Sequence, residues 1–474
     1  MSGSVQQWVE REFASVHFGD ARLDRRFRSI MIDLGRRSGK SIASSFEGWA
    51  KIKAAYRFFD NYRVEPKTML TPHIEQTVER AVRSGEQTLL FLQDTTYLDY
   101  GGRPATRNLD KVARHGSGTA TEGLMLHNTL VSTVSGLPLG LADQRFIDRK
   151  AFLGESEDVP FTRGVDYPVE QRESRRWIEV IRRCAALDTG TARKVHVCDR
   201  EGDFYELFRD AAALEQHVLV RAARNRAIDK RRRSEPPSAW LFDALVAEPE
   251  QGRTTVRVQV NARKKFRSAT LSIRRRQISM PPPPNRSAVR HGTDLPMVEL
   301  AAVMARELDP PPGAEPLCWV LLTDLAIADT AAAIEKVQWY STRWNVEVFH
   351  KVLKSGCAVE KAQLTEASRL KNYVVLKSIV AWRLFWLARM REHDPNAPCD
   401  AVLDRTEWVL LYRKIHKTRT VPEQVPTLAD ALVWIAKLGG YIARRSDPDP
   451  GVVSQWRGWE RLMDIVDDHR DICG

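Results

Sequence analysis

Hydrophobic positions change their period more than once along this chain. In residues 20–34, Leu23, Phe27, Ile30 and Leu34 recur at three- and four-residue steps, the spacing that gathers side chains on one face of a helix. A second helix is expected over 47–61, and between the two Arg36-Arg37-Ser38-Gly39-Lys40-Ser41 reads as a basic turn. From Thr88 the pattern becomes a continuous apolar run, Leu89-Leu-Phe-Leu92, suited to a strand covered on both faces. Strand-like runs follow at 125–134, 194–198 and 217–221, with a helix over 204–214 between the last two. Strands interleaved with helices predict an α/β core.

Residues 256–260 and 270–274 alternate with period two. They predict an antiparallel β insertion, about residues 224–327. Basic clusters at 230–233, 263–265 and 274–276 would give it a DNA-facing side, or else serve only as solvated charges that guard strand edges. Past Asp329, an N-cap candidate, one long helix is predicted to about residue 355. The apolar stretch 373–387 contains Lys377 and Arg383, so it reads as a buried helix and not a membrane span. Leu428, Leu432, Ile435 and Leu438 form a stripe stopped by Gly439-Gly440. Trp456, Trp459, Leu462 and Val466 form another, which reads as core or as a subunit interface.

A chain of 474 residues predicts two or three domains. Its net charge of +12 points to a polyanionic partner, of which nucleic acid is the commonest. The two N-terminal helices around a basic turn are compatible with a DNA-binding bundle, although such helices are often merely solvated. The six cysteines form no C-x-x-C pair, which argues against a zinc site and for reduced thiols. The N-terminus has no basic segment followed by an apolar one, so no signal peptide is expected. The expected location is the bacterial cytoplasm, at the nucleoid when acting.

Three carboxylates stand out. Asp94, in Gln93-Asp94-Thr95-Thr96, ends an apolar run and could be a turn residue. Asp199, in Cys198-Asp199-Arg200-Glu201, does the same and could be a helix N-cap. Glu347 shares one face of the predicted helix with Tyr340, Arg343, Lys351 and Lys354, at steps of 3, 7, 11 and 14 residues from Tyr340. A solvated face can look like this, and Arg343 and Glu347 are spaced as an i, i+4 pair. The sharper reading is a carboxylate that holds metal, flanked by cations that hold phosphates.

Together these stretches resemble the bacterial DDE transposases of the IS-four group. The most specific element is Tyr340-x2-Arg343-x3-Glu347-x6-Lys354. Ser38-Gly39-Lys40-Ser41-Ile42, Ala55-Tyr56-Arg57-Phe58, Leu438-Gly-Gly-Tyr441 and Trp456-Arg-Gly-Trp459-Glu460 extend the likeness to both ends. The stretches 101–123, 224–315 and 393–425 depart from the family pattern. The resemblance implies an RNase H-like α/β catalytic core at 70–392 carrying the β insertion. It also implies a helical DNA-end-binding domain at 1–69 and a helical dimerisation domain at 393–474.

By the same resemblance, Asp94, Asp199 and Glu347 are the catalytic, metal-binding triad for two Mg2+ ions, with Mn2+ as substitute. Tyr340, Arg343, Lys351, Lys354, Arg221 and Lys40 would contact DNA. Trp319 would stack on a flipped-out base, or else be a core tryptophan on a strand. The implied partners are double-stranded DNA (transposon-end inverted repeats and target) and a second copy of the chain, with no membrane. The implied activity is nicking, hairpin formation and opening, and strand transfer. Two other readings stand beside it: a catalytically silent DNA-binding regulator, and a simple nuclease without strand transfer.

Overall fold

The computed structural model describes residues 3–113, 120–148, 172–229, 239–259, 266–283, 295–444, 447 and 449–473. Five helices come first: α1 (Val5–Glu12), α2 (Ala21–Arg36), α3 (Ile42–Ser45), α4 (Gly48–Phe59) and α5 (Pro66–Arg83). The expected stripe of α2 is buried at Leu23, Phe27, Ile30 and Leu34, and the Asp20 side chain caps its first turn through the amide of Arg22. α5 is not among the elements that the sequence pattern predicts. Proline at its first position suits a helix start, and the helix runs through residues 69 and 70, where a domain boundary was expected.

Strands β1 (Thr88–Asp99), β2 (Asp110–Ala113), β3 (Ala120–Thr133) and β4 (Pro138–Ile147) follow, then α6 (Arg175–Ala185), β5 (Arg193–Cys198), α7 (Tyr205–Ala213) and β6 (His217–Arg221). A short pair, β7 (Ala227–Ile228) and β8 (Ala239–Trp240), leads through α8 (Leu241–Ala247) to β9 (Gly252–Gln259), β10 (Phe266–Met280), β11 (Val298–Glu307) and β12 (Cys318–Thr323). One mixed sheet runs β2-β3-β1-β5-β6-β12-β11-β10-β9, with β4 paired to β3. Among the described strands, only β1–β5 and β5–β6 are parallel. The antiparallel strands expected as an insertion are therefore hydrogen-bonded into the same sheet, joined to it where β12 meets β6.

The two-residue period of the strands divides the core. Leu90 and Leu92 of β1, Val195 and Val197 of β5 and Leu219 of β6 enter one large hydrophobic cluster. Leu89 and Phe91 pack with Val180 and Cys184 of α6 on the opposite face, and Val218 and Val220 pack with Trp177 and Phe208. Each such side chain contributes about 1.5–3 kcal/mol on burial, so the register of the sheet is strongly fixed.

The remaining helices are α9 (Thr330–Thr342), α10 (Trp344–Lys351), α11 (Ala367–His393), α12 (Arg405–His416), α13 (Leu428–Leu438) and α14 (Val452–Cys473). The apolar stretch 373–387 lies inside α11 and is buried throughout, Lys377 and Arg383 included. Elements from both ends of the chain pack around α11. Tyr373 meets Phe59 with ring centroids 5.9 Å apart, and Lys377 Nζ donates to Ser38 O. Trp456 and Trp459 are 6% and 1% exposed, and Trp459 Nε1 donates to Gly35 O at 3.0 Å. Of the two roles open to that stripe, these two indoles take the core one.

The glycines of Leu-Gly-Gly and Trp-Arg-Gly-Trp have a steric reason. A Cβ on Gly458 would fall 1.7 Å from Ile435 O, and one on Gly439 would fall 1.8 Å from Ser454 O. Helices α13 and α14 touch backbone to backbone there, which any side chain would prevent.

A buried polar link joins α1 to the sheet. The Glu12 carboxylate accepts from Arg80 Nη1 at 2.8 Å and Nη2 at 3.0 Å, and from His73 Nδ1 at 2.6 Å. His73 Nε2 accepts from the Leu141 amide of β4 at 3.0 Å. This arrangement fixes a neutral imidazole with its proton on Nδ1.

Candidate active site

Strands β1 and β5 run parallel, with Leu92 beside Val197. Asp94 and Asp199 each lie two residues further on. Side chains two apart share a face, so both carboxylates emerge level with each other on the face that carries Leu90, Leu92, Val195 and Val197. The expectation that Asp94 ends its strand is corrected. β1 continues to Asp99, because β3 pairs with it as far as Gly123. Asp199 does end β5. Its Oδ1 accepts from Glu201 N at 2.8 Å, capping the single 3-10 turn Arg200–Gly202.

Glu347 comes from α10, whose Val346 and Phe349 enter the same cluster as Leu90 and Leu92. The helical course expected over 329–355 is present but changes its winding, with Arg343, itself in the right-handed helical region, linking two segments. α9 stops at Thr342, α10 spans Trp344–Lys351, and a π turn covers Val352–Gly356. The five polar residues thus do not form one straight row. Arg343 sits at the junction and reaches two carboxylates: Nη1 lies 3.6 Å from Asp94 Oδ1, and Nη2 pairs with Glu347. Lys354, displaced by the π turn, donates to Tyr97 O of β1 at 2.6 Å and lies 3.9 Å from Glu360. Lys351 is half-buried on the last turn of α10.

Tyr340 is buried, and its ring meets Trp319 edge-on with centroids 5.2 Å apart. Trp319 is half-buried on β12. Arg221 ends β6 and donates to Cys318 O at 3.1 Å, so Arg221, Trp319 and Tyr340 border one another. Lys40 stands exposed in the turn after α2, away from the carboxylates in sequence and not joined to them by any hydrogen bond or ion pair among the described residues.

The electrostatics are those of an anion-rich pocket. Burial raises the proton affinity of Asp199, and the negative charge of Asp94 adds to this. Glu347 is raised mainly by burial, with Asp94 and Asp199 acting in the same direction against Arg343. Burial alone would weaken the charge of Arg343, but Tyr340 and the three carboxylates outweigh it and hold the guanidinium cationic. The carboxylates of Asp94, Asp199, Glu201 and Glu347 face the cations Arg343, Arg176 and Lys354, so acids outnumber bases in this cluster. Among the described residues, no three His, Cys, Asp or Glu side chains are already grouped closely enough to hold a metal ion. The guanidinium stands between Asp94 and Glu347. The all-oxygen donor set of Asp94, Asp199 and Glu347 fits a hard divalent cation.

Several residues of the site were not foreseen. His350 Nδ1 lies 3.4 Å from Asp94 Oδ2, and the Asn128 amide meets its other nitrogen at 2.9 Å. Its position three residues after Glu347 was the available signal. Buried Arg176 pairs with Glu201 and donates to Thr95 Oγ1 at 3.1 Å, bracing the segment after each aspartate. Its helix, α6, was not read, although Trp177, Ile178, Ile181 and Cys184 recur at helical steps.

The expected basic side of the antiparallel strands is corrected in part. Arg274 Nε donates to Glu248 O at 3.0 Å, Arg275 Nη1 to Ile327 O at 3.1 Å, and Arg276 pairs with Glu248 at 3.2 Å. These three cations are used within the chain. The clusters at 230–233 and 263–265 lie outside the described residues.

No helix among the described residues is long and apolar enough to cross a membrane. Two segments match known families. Residues 5–64 match a family described as transposase DNA-binding, and residues 379–472 match the transposase Tn5 dimerisation domain. The first covers α1 to α4, with the exposed turn of Lys40. The second covers most of α11 and the helices packed on it.

Proposed function

We propose that this chain, a Tn5-like transposase by its two matched segments, binds the inverted repeats at both ends of a mobile element and moves it by cut-and-paste chemistry. The observation that carries the catalytic half is the convergence of Asp94, Asp199 and Glu347, from two parallel strands and a helix, around Arg343. Parallel strands bearing acidic residues at one level, with a third acid from a covering helix, fit an RNase H-like core. In this reading residues 1–69 bind the transposon end, 70–392 carry catalysis and 393–474 pair two copies. The work is done in the bacterial cytoplasm, at the nucleoid.

Asp94, Asp199 and Glu347 would hold two Mg2+ ions, or Mn2+ in their place. Such ions lower the pKa of bound water or hydroxyl and neutralise charge at the phosphate under attack. The chain's own groups do the rest. Arg343 holds Asp94 and Glu347 in place and offers its remaining N–H groups to a phosphate. Lys354 and Lys351 add positive charge beside β1. Tyr340 supports Trp319, whose indole receives the base that leaves the duplex when a strand turns back into a hairpin. Arg221 and Lys40 hold flanking phosphates. Nicking, hairpin formation, hairpin opening and joining are all in-line displacements at phosphorus, so one site serves each in turn.

The test is cleavage of labelled DNA bearing the element's own ends by wild type and Glu347→Ala, with and without Mg2+. Nicks and hairpins from wild type alone, and only with metal, are expected. End binding with no cleavage in either Mg2+ or Mn2+ would replace this reading with that of a DNA-binding regulator.

A further inference from the structure

Helix α12 ends in a cationic surface that the site described above does not use. From Arg413 to Thr420 the sequence is Arg-Lys-Ile-His-Lys-Thr-Arg-Thr. Arg413, Lys414, Lys417 and Arg419 are all exposed. None of these side chains makes a hydrogen bond or ion pair among the described residues, whereas exposed arginines elsewhere do, such as Arg182 with Asp210 and Arg253 with Glu250. The one acid of α12, Glu407, is buried at the far end of the helix in a capping box with Asp404.

The surface is held in place. Tyr412 and His416 stack with centroids 4.2 Å apart and 29° between planes. Trp434 of α13 meets both edge-on, at 5.4 and 5.1 Å. Basic residues in a last helical turn do offset the helix dipole, and that accounts for part of the pattern. It does not account for Lys417. This residue has φ 53°, in the left-handed region, where glycine is the relaxed choice. A lysine there keeps a charge at a position whose backbone disfavours it.

We infer that this surface holds the target DNA duplex, by its phosphates. The inference rests on the transposase reading above. Charge complementarity points to a polyanion, in a chain of net charge +12. Lysine and arginine neutralise phosphates without regard to sequence, which suits a target and not an inverted repeat. The segment matched as DNA-binding, residues 5–64, is a separate stretch of the chain.

The experiment compares full-length wild type, the quadruple variant Arg413→Ala/Lys414→Ala/Lys417→Gly/Arg419→Ala, and Lys417→Gly alone. Three readouts are taken: the salt dependence of binding to an unrelated duplex without transposon ends, cleavage of end DNA, and joining of cleaved ends to a plasmid. For the quadruple variant the slope of log K against log salt is expected to fall by about 3.6, about 0.9 for each cation removed. End cleavage should stay unchanged and joining should fall several-fold. Lys417→Gly should lower the slope by about 1 at an equal or higher melting temperature, which a purely structural lysine would not do. An unchanged slope overturns the inference, and so does an equal loss of end cleavage and joining. If wild type cleaves nothing, the transposase reading fails, while the salt slope on unrelated duplex still decides whether this surface binds DNA.

Discussion

Asp94 and Asp199 stand side by side on parallel strands, each two residues beyond the pair Leu92 and Val197. Their proximity follows from the strand register, with Asp199 held at the start of the turn that β5 opens into. Removing either carboxylate should therefore leave the strands intact and change only the charge they present. Asp94→Ala and Glu347→Ala are expected to abolish cleavage while end binding, measured by gel shift, stays within about threefold (under 1 kcal/mol). By calorimetry, Mn2+ should bind wild type and fail to bind either variant. Loss of end binding in both variants would assign the carboxylates a structural role.

Trp319 is half-buried, edge-on to Tyr340. Trp319→Ala should impair hairpin formation more than first-strand nicking, by about tenfold or more, since base–aromatic stacking is worth about 1–3 kcal/mol. The check is a single-turnover time course resolving nicked from hairpin product. Equal loss of both would make the indole a core residue.

The Glu12–His73–Arg80 link predicts acid sensitivity. Burial alone would raise Glu12, but the charge of Arg80 and the hydrogen bonds from His73 and Arg80 outweigh it and hold the carboxyl at about 2 against an ordinary 4.5. That contribution, about 3 kcal/mol, is complete above pH 4.5 and is lost as pH falls toward 2. His73 is lowered from 6.5, mainly by burial, so it stays neutral in the fold while an unfolded imidazole takes up a proton. Its effect also removes stability as pH falls below 6.5. Melting temperature should thus rise with pH through the acid range. Glu12→Gln, which strands a buried guanidinium, should cost about 3–5 kcal/mol and flatten the profile below pH 4.5. Parallel profiles for the two proteins would show that this link does not set the acid limit.

Gly458→Ala places a methyl group where Ile435 O already stands. Overpacking of this kind costs about 1–3 kcal/mol, and more when backbone cannot yield. The variant should melt earlier and lose self-association in sedimentation, because α13 and α14 lie in the segment matched to a dimerisation domain. An unchanged melting temperature would mean that the two helices separate freely.

The sequence showed most of what local periodicity can carry. The stripe of α2, the strands flanking Asp94 and Asp199 and the burial of α11 all follow from two-fold or 3.6-fold spacing. What it concealed depends on partners distant in the chain. Thr95 and Thr96 resemble the end of a strand because only pairing with β3 shows that β1 continues. The change of winding at Arg343 has no proline or glycine to announce it, so the helical pattern reads straight through. Arg274, Arg275 and Arg276 resemble a DNA-facing cluster until their carbonyl and carboxylate partners are known. His350 was within reach by spacing alone. Arg176 was not, since its partners Thr95 and Glu201 lie on other elements.

The packing of both chain ends on α11 also has a consequence in time. Ser38 O meets a lysine 339 residues later, and Gly35 O meets an indole 424 residues later. At about 5–20 residues per second of synthesis, the turn and helix around Gly35 and Ser38 wait roughly 20–80 s for these partners. Their apolar faces stay open to solvent, or to a chaperone, for that interval. The part of the molecule matched as DNA-binding leaves the ribosome well before the helices that complete its packing.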